Sequence, residues 1–233
     1  MRKVIAIIVA AGKGKRMGAD TGKQWISLQG KPIIAHTLQR FEECSAVDSI
    51  IVVTQSDEIE YCRNEVIERF GFTKVIGIIK GGKERQDSVR NGLDAVDDSY
   101  TIVIIHDGVR PFVSPSIINR SIESAEKTGA SVVSVPVKDT IKEVSDGYVV
   151  KTLKRGRLWA VQTPQTFKTE IIKHAHKKAL EDGIYATDDS SLVERLGFRV
   201  EVVEGSYENI KITTPEDLII GEAIANRFWI RCS

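Results

Sequence analysis

Cysteine is scarce in this chain. Its 233 residues include Cys44, Cys62 and Cys232, an odd number with no CxxC pair. That argues against a disulfide framework or a cysteine zinc site and makes a reducing cytoplasm the expected setting. A surplus of charge is also missing: 33 Lys and Arg stand against 32 Asp and Glu, a formal net charge of +1. A nucleic-acid binder would carry a broad basic excess, so that class is set aside. No apolar run approaches the roughly 18 residues needed to span a membrane. Arg2-Lys3 followed by Val4 to Ala11 imitates a signal peptide, but the run is short, and Gly12-Lys13-Gly14-Lys15-Arg16 follows where small uncharged residues should stand. A buried first strand explains it better. Internal repeats and low-complexity tracts are absent, and the length suits one α/β domain spanning 1–233.

What the chain does have is a concentrated basic stretch. Residues Ala10 to Lys23 read AAGKGKRMGADTGK and follow directly on the β-type run Val4 to Val9. A strand that empties into Gly-rich, cation-rich sequence brings backbone N–H groups and Lys13, Lys15, Arg16 and Lys23 to one spot, which suits a phosphate. A solvated basic loop is the plain alternative. The spacing fits neither common glycine motif. A Walker loop fails because Gly12 to Gly18 is one residue too long and Ala19 stands where Lys is required. Gly12, Gly14 and Gly18 give G-x-G-x-x-x-G, one too long for a dinucleotide fingerprint, which disfavours a dehydrogenase.

The rest alternates strand and helix patterns. Helices are expected from Pro32 to about Glu43, over Asp57–Phe70, Glu84–Val96, Ser114–Gly129, Lys168–Glu181, Thr187–Leu196 and from Thr214 onward. Strands are expected at Ile50–Thr54, Val75–Ile79, Thr101–Ile105, Ser131–Val137, Trp159–Gln162 (ended by Thr163-Pro164), Arg199–Val203 and Asn209–Ile212. Such alternation implies a doubly wound, mainly parallel sheet, with ligands beyond the carboxyl ends of the strands. Residues 138–155 break the pattern. Two short alternating segments flank Asp146-Gly147, a hairpin signal, and read as a protruding β-arm that suits a partner chain. Asp107 closes an apolar strand; an Asp there is commonly a turn residue, yet beside a phosphate loop a carboxylate can hold Mg²⁺ against phosphate oxygens. Trp25, Trp159 and Trp229 read as packing residues, His174 and His176 as solvated, and His106 as a packed or hydrogen-bonded strand-end residue rather than a base.

The segments AAGKGKRMG, GKQW, GGKERQDSV, HDGVRPF, PVKDTIK, LWAVQTPQTF, TDDSSLVE and VEGSYENIKITTPEDL, in this order and spacing, strongly resemble the 2-C-methyl-D-erythritol 4-phosphate cytidylyltransferases. The resemblance covers nearly the whole chain. It implies a Rossmann-like fold of the nucleotide-diphospho-sugar transferase type, CTP and a polyol phosphate as substrates, Mg²⁺ as cofactor and a homodimer joined through the β-arm. Arg16 and Lys23 match the pair that stabilises the transition state at the α-phosphate, and Arg155 and Lys211 match residues that position the sugar phosphate. Asp107 matches the metal ligand. Ala10, Ala11, Gly82 and Ser88 match positions around cytosine, and Gly12, Gly14 and Gly108 positions near ribose and phosphates. Arg110, Thr140, Thr163 and Thr187 match the polyol site. Where some relatives place an Asp as second metal ligand, this chain has Glu208. Two rival functions stay open: a ribitol 5-phosphate cytidylyltransferase and a non-catalytic nucleotide-binding protein.

Overall fold

The computed structural model describes residues 2–12 and 22–230. Along them run β1 (Val4–Val9), β2 (Ser27–Leu28), β3 (Lys31–Pro32), α1 (Ile33–Glu42), β4 (Ser49–Thr54), α2 (Ile59–Tyr61), β5 (Val75–Lys80), α3 (Arg85–Asp94) and β6 (Ile102–Asp107). Then come α4 (Pro115–Thr128), β7 (Ala130–Pro136), β8 (Lys142–Ser145), β9 (Tyr148–Thr152), β10 (Trp159–Lys168), α5 (Thr169–Glu181), α6 (Asp189–Arg195), β11 (Glu201–Glu204) and α7 (Pro215–Ile230). Among the described residues a seven-stranded sheet has the order β11-β7-β10-β6-β1-β4-β5. β10 runs antiparallel to both neighbours, and the other pairings are parallel. This is the doubly wound, mainly parallel α/β architecture expected from the alternation.

Strands buried on both faces read as unbroken apolar runs, and β1 shows why. Val4, Ala6 and Ile8 turn to one layer, where they join Ile34, Leu38 and Phe41 of α1 and Ile118 and Ile122 of α4. Ile5 and Ile7 turn to the other, with Val89 and Leu93 of α3 and Ile172 and Ala175 of α5. The period of two along a strand meets the helical period on each side. A smaller cluster of Leu28, Ile33, Val109, Phe112, Ile212 and Ile224 fastens α7 beside the carboxyl edge of the sheet. Helix ends are where local chemistry puts them. The Ser114 hydroxyl accepts from Ile117 N at 3.3 Å, and Gly129 (φ +96°) closes α4 in the left-handed region that glycine tolerates.

Four expectations are corrected. Asn209–Ile212 forms no strand; it is irregular and docks through Ile212 N to Val109 O at 3.0 Å. Thr163-Pro164 does not end β10. The strand continues to Lys168 with its pairing to β7 interrupted between Val161 and Gln165, because proline has no N–H to give the ladder. Trp159 is 40% exposed rather than packed. His176 is buried, 2% exposed, rather than solvated, whereas His174 on the next face of α5 is exposed. The 57–70 helix exists but is irregular, with a π-helical stretch over Cys62–Glu68. The 138–155 segment is a two-stranded hairpin, β8 with β9, turning at Asp146 (φ +51°) and Gly147 (φ +84°). Both of its faces are exposed.

Candidate active site

Parallel register brings the functional loops level. Val9 pairs with Asp107 of β6 on one side and Val53 of β4 on the other, and Thr54 pairs with Lys80 of β5. The chain therefore leaves β1, β4, β5 and β6 at one rim of the sheet. Two clefts open there. The first, about 820 Å³, is lined by Ala10, Ala11, Gly12, Lys23, Gly82, Ser88, Asp107 and Lys211 among others. The second, about 460 Å³, is lined by Arg110, Thr163, Thr187 and again Asp107 and Lys211. Arg85, Asp107 and Lys211 belong to both and form the wall between them. A third depression, around Asp98, Tyr100 and Lys173, lies at the opposite end of β6 and shares none of these residues.

Asp107 is the centre of the wall. One carboxylate oxygen faces Lys211 Nζ at 2.9 Å and Arg110 Nε at 3.2 Å, and the other faces Arg85 Nε at 3.4 Å. Burial works against its ionisation, but Lys211, Arg85 and Arg110 outweigh burial and hold its carboxyl far below the usual carboxylate range. Its backbone N–H donates to Thr163 Oγ1 at 3.1 Å, and that hydroxyl donates to His106 Nδ1 at 3.1 Å. The remaining His106 nitrogen, Nε2, donates to Arg110 O at 3.1 Å. His106 is fully buried with both ring nitrogens engaged, and burial lowers its pKa to about 4. It is a neutral structural imidazole.

Glycines let the loops around the larger cleft approach closely. A β-carbon built on Gly82 would lie 2.3 Å from Asp87 Cβ, and one on Gly108 would lie 3.1 Å from Ala10 Cβ. Gly82 N donates to Ser88 Oγ at 3.0 Å. Lys23 leads back into the cleft, its Nζ 4.0 Å from a β-carbon built on Gly12.

The structure thus brings together Ala10, Ala11, Gly12, Lys23, Gly82, Ser88, Asp107, Gly108, Arg110, Thr163, Thr187 and Lys211 at one rim. It does not bring Thr140 or Arg155 there. Both are exposed at the base of the hairpin, where Arg155 Nη1 donates to Lys138 O at 2.8 Å. Glu208 is paired with Arg227. Gly14 and Arg16 lie outside the described residues. Among the described residues no three acidic, histidine or cysteine side chains gather as a metal cage.

Arg85 was missed from sequence. It stands within GGKERQDSV with nothing to distinguish it from its charged neighbours, yet its other arm holds buried Asp189 at 2.8 Å. The second oxygen of Asp189 accepts from His176 Nε2 at 3.1 Å, which is why His176 is buried. No sequence spacing announces that contact, since its members come from α3, α5 and α6.

The family model for 2-C-methyl-D-erythritol 4-phosphate cytidylyltransferase matches residues 4–227. A protein of that name from Geotalea uraniireducens is 55% identical over 223 residues, covering 95% of this chain and 96% of its own. One from Alkaliphilus metalliredigens is 51% identical, covering 97% and 94%. Among solved structures, 4-diphosphocytidyl-2C-methyl-D-erythritol synthase from Anaerococcus prevotii superposes with a TM-score of 0.86 at 34% identity, covering 97% of this chain and 96% of that one.

Proposed function

The chain belongs to the 2-C-methyl-D-erythritol 4-phosphate cytidylyltransferase family, and from that membership we propose that its two clefts hold the two substrates of the family reaction on either side of the Asp107 wall. The enzyme transfers CMP from CTP to 2-C-methyl-D-erythritol 4-phosphate, a step of isoprenoid precursor synthesis that releases pyrophosphate. The observation that carries the assignment of sites is the shared wall: two pockets, one larger and one smaller, meet at Arg85, Asp107 and Lys211. CTP is assigned to the larger, with cytosine toward Gly82 and Ser88 and its phosphates toward Gly12 and Lys23. The polyol phosphate is assigned to the smaller, between Arg110, Thr163 and Thr187.

The chemistry suits this arrangement. An oxygen of the sugar phosphate bonds to the α-phosphorus of CTP while the bond from that phosphorus to the bridging oxygen breaks, and pyrophosphate leaves with the electron pair. A phosphate monoester has its second pKa near 6, so the nucleophile is already ionised at neutral pH. No general base is required, which agrees with a His106 whose two nitrogens are occupied. The barrier comes from two anions that repel, and fixed cations plus positioning lower it. Lys23 acts at the α-phosphate together with Arg16, and Lys211 and Arg110 act on the incoming phosphate.

Mg²⁺ fits the donor set. Such an ion takes one or two carboxylates plus phosphate oxygens rather than a full protein cage, and Asp107 is a carboxylate held ionised at the wall. Asp107 would hold it, and when bound it would neutralise charge on the triphosphate oxygens. Glu208, occupied by Arg227, is the weaker candidate as a second ligand. The hairpin supports a homodimer in which Thr140 and Arg155 serve the partner's polyol site, since neither lines a cleft of its own chain. Two buried, unpaired cysteines, Cys44 and Cys62, support a cytoplasmic setting, and no helix of the described residues is long and apolar enough to cross a membrane.

The test is direct. Purified protein given CTP, methylerythritol phosphate and Mg²⁺ should release pyrophosphate, and Lys23→Ala should lower kcat by ~100-fold or more, the scale of losing one charge-stabilising donor. Near-normal turnover in Lys23→Ala, or a crystal structure with CTP bound away from Lys23 and Asp107, overturns the assignment of sites.

A further inference from the structure

We propose that Glu58 is a positioning residue that fixes the walls of the nucleotide cleft relative to one another; this rests on the larger cleft being where CTP binds. Glu58 follows β4 and is only half-buried, yet its carboxylate gathers donors from two segments. It accepts from Gln24 Nε2 at 3.0 Å, Trp25 Nε1 at 2.8 Å, Thr54 Oγ1 at 2.8 Å and Gln55 N at 3.4 Å. All four donors are neutral. Hydrogen bonds to an ionised acceptor are about twice as strong as neutral ones, so one carboxylate holds the whole set.

Each donor leads to a wall of the cleft. Gln24 and Trp25 follow Lys23 directly, so Glu58 fixes the segment that aims this ammonium toward Gly12. Trp25 is braced from behind by Tyr61, edge to face at 5.1 Å. Thr54 and Gln55 end β4. From there the Gln55 amide donates to Ala11 O, on the loop after β1, and Thr54 O accepts from Gly81 N at 2.7 Å, on the loop after β5. The three loops that enclose the cleft are therefore tied, directly or through one further bond, to a single side chain. The packing at Gly22 agrees with a fitted clamp. A β-carbon there would lie 2.4 Å from Gln24 Nε2 and 2.8 Å from Glu58 Oε1, although the backbone of Gly22 (φ −55°, ψ 135°) suits any residue.

Glu58→Gln keeps the shape of the side chain but turns an NH₂ toward N–H donors. Gly22→Ala leaves Glu58 in place and wedges it away from Gln24. Both should raise the KM for CTP and its calorimetric Kd about tenfold, the scale of losing charge-assisted hydrogen bonds. The KM for methylerythritol phosphate should stay within about twofold, because no donor of the Glu58 set belongs to the smaller cleft. That split between substrates is what a merely structural residue would not give. Unchanged CTP affinity in both variants, or equal losses for the two substrates, overturns the proposal. A wild-type protein that gives no heat on titration with CTP instead overturns the reading of the cleft itself.

Discussion

Asp107 carries the charge logic of the site in one side chain. A carboxylate that is 6% exposed would ordinarily be protonated or costly, and three cations keep it ionised. Arg85 shows the same economy in reverse: burial disfavours its charge, yet Asp189 and Asp107 raise its pKa above the usual arginine value. The buried histidines act on stability rather than catalysis. His36 donates from Nε2 to Leu28 O at 2.7 Å, and burial lowers its pKa to about 4 despite that bond; His106 is lowered to about 4 in the same way. Unfolded, each would titrate near 6.5, so between pH 6.5 and 4 the unfolded chain binds more protons than the folded one. Stability from the neutral imidazoles is fully present above pH 6.5 and is lost as the pH falls toward 4. Denaturant melts should show a slope of about 1.4 kcal/mol per pH unit for each histidine across that window. His36→Gln should remove roughly one histidine's share of the slope; an unchanged slope would mean that His36 is not neutral in the fold.

At the scale of elements, the rim works because strand ends approach closely. Gly81 sits where β5 leaves the sheet, and a β-carbon there would lie 2.3 Å from Ala11 Cβ and 3.3 Å from Thr54 O. Neither neighbour is a flexible tip that can swing away. Gly81→Ala should therefore push the β5 loop off the β1 loop, lowering stability by about 1–3 kcal/mol through overpacking. It should also weaken CTP binding, since both loops line the larger cleft. Urea melts and calorimetry with CTP check the two halves separately. The helices were readable in advance because their ends carry their own chemistry, as with Ser114 and Gly129 on α4 or the Asp188 side chain that accepts from Ser191 N at 3.3 Å on α6. Asn209–Ile212 was misread as a strand because a β-branched, apolar pattern does not say whether a ladder partner exists. Here Ile212 is buried by α7 and the β6–α4 connection instead.

At the scale of the whole molecule, the hairpin is the part with least reason to exist in a lone chain. Val144, Tyr148, Val149 and Val150 are each more than half exposed, and a hairpin that packs on nothing is marginal in water. In the homodimer proposed above, a second copy of the chain would provide the cover and would bring Thr140 and Arg155 to the other polyol site. Arg155→Ala should raise the KM for methylerythritol phosphate with a smaller effect on CTP. Refolded together with Lys23→Ala chains, it should recover about a quarter of wild-type activity, because mixed dimers would contain one intact site. No recovery in the mixture would count against sites shared across the dimer.

Sequence alone determined what is local or periodic. The alternation of apolar strands with amphipathic helices made the sheet doubly wound, the glycine spacing after β1 ruled out two familiar phosphate loops, and near-zero net charge removed nucleic acid from consideration. It also marked Asp107, a charged residue beside a glycine at the end of an apolar run, and Lys23, one of four cations in the glycine-rich stretch after β1. What required the tertiary structure is whatever joins distant segments. The parallel register levels four strand ends at one rim, Arg85 meets Asp189 across 104 positions of sequence, and Glu58 collects donors from a segment more than 30 residues away. Such contacts leave no period or spacing in the chain. They arise because burial forces each charged or polar group to find a partner, and only the fold decides which partners come within reach.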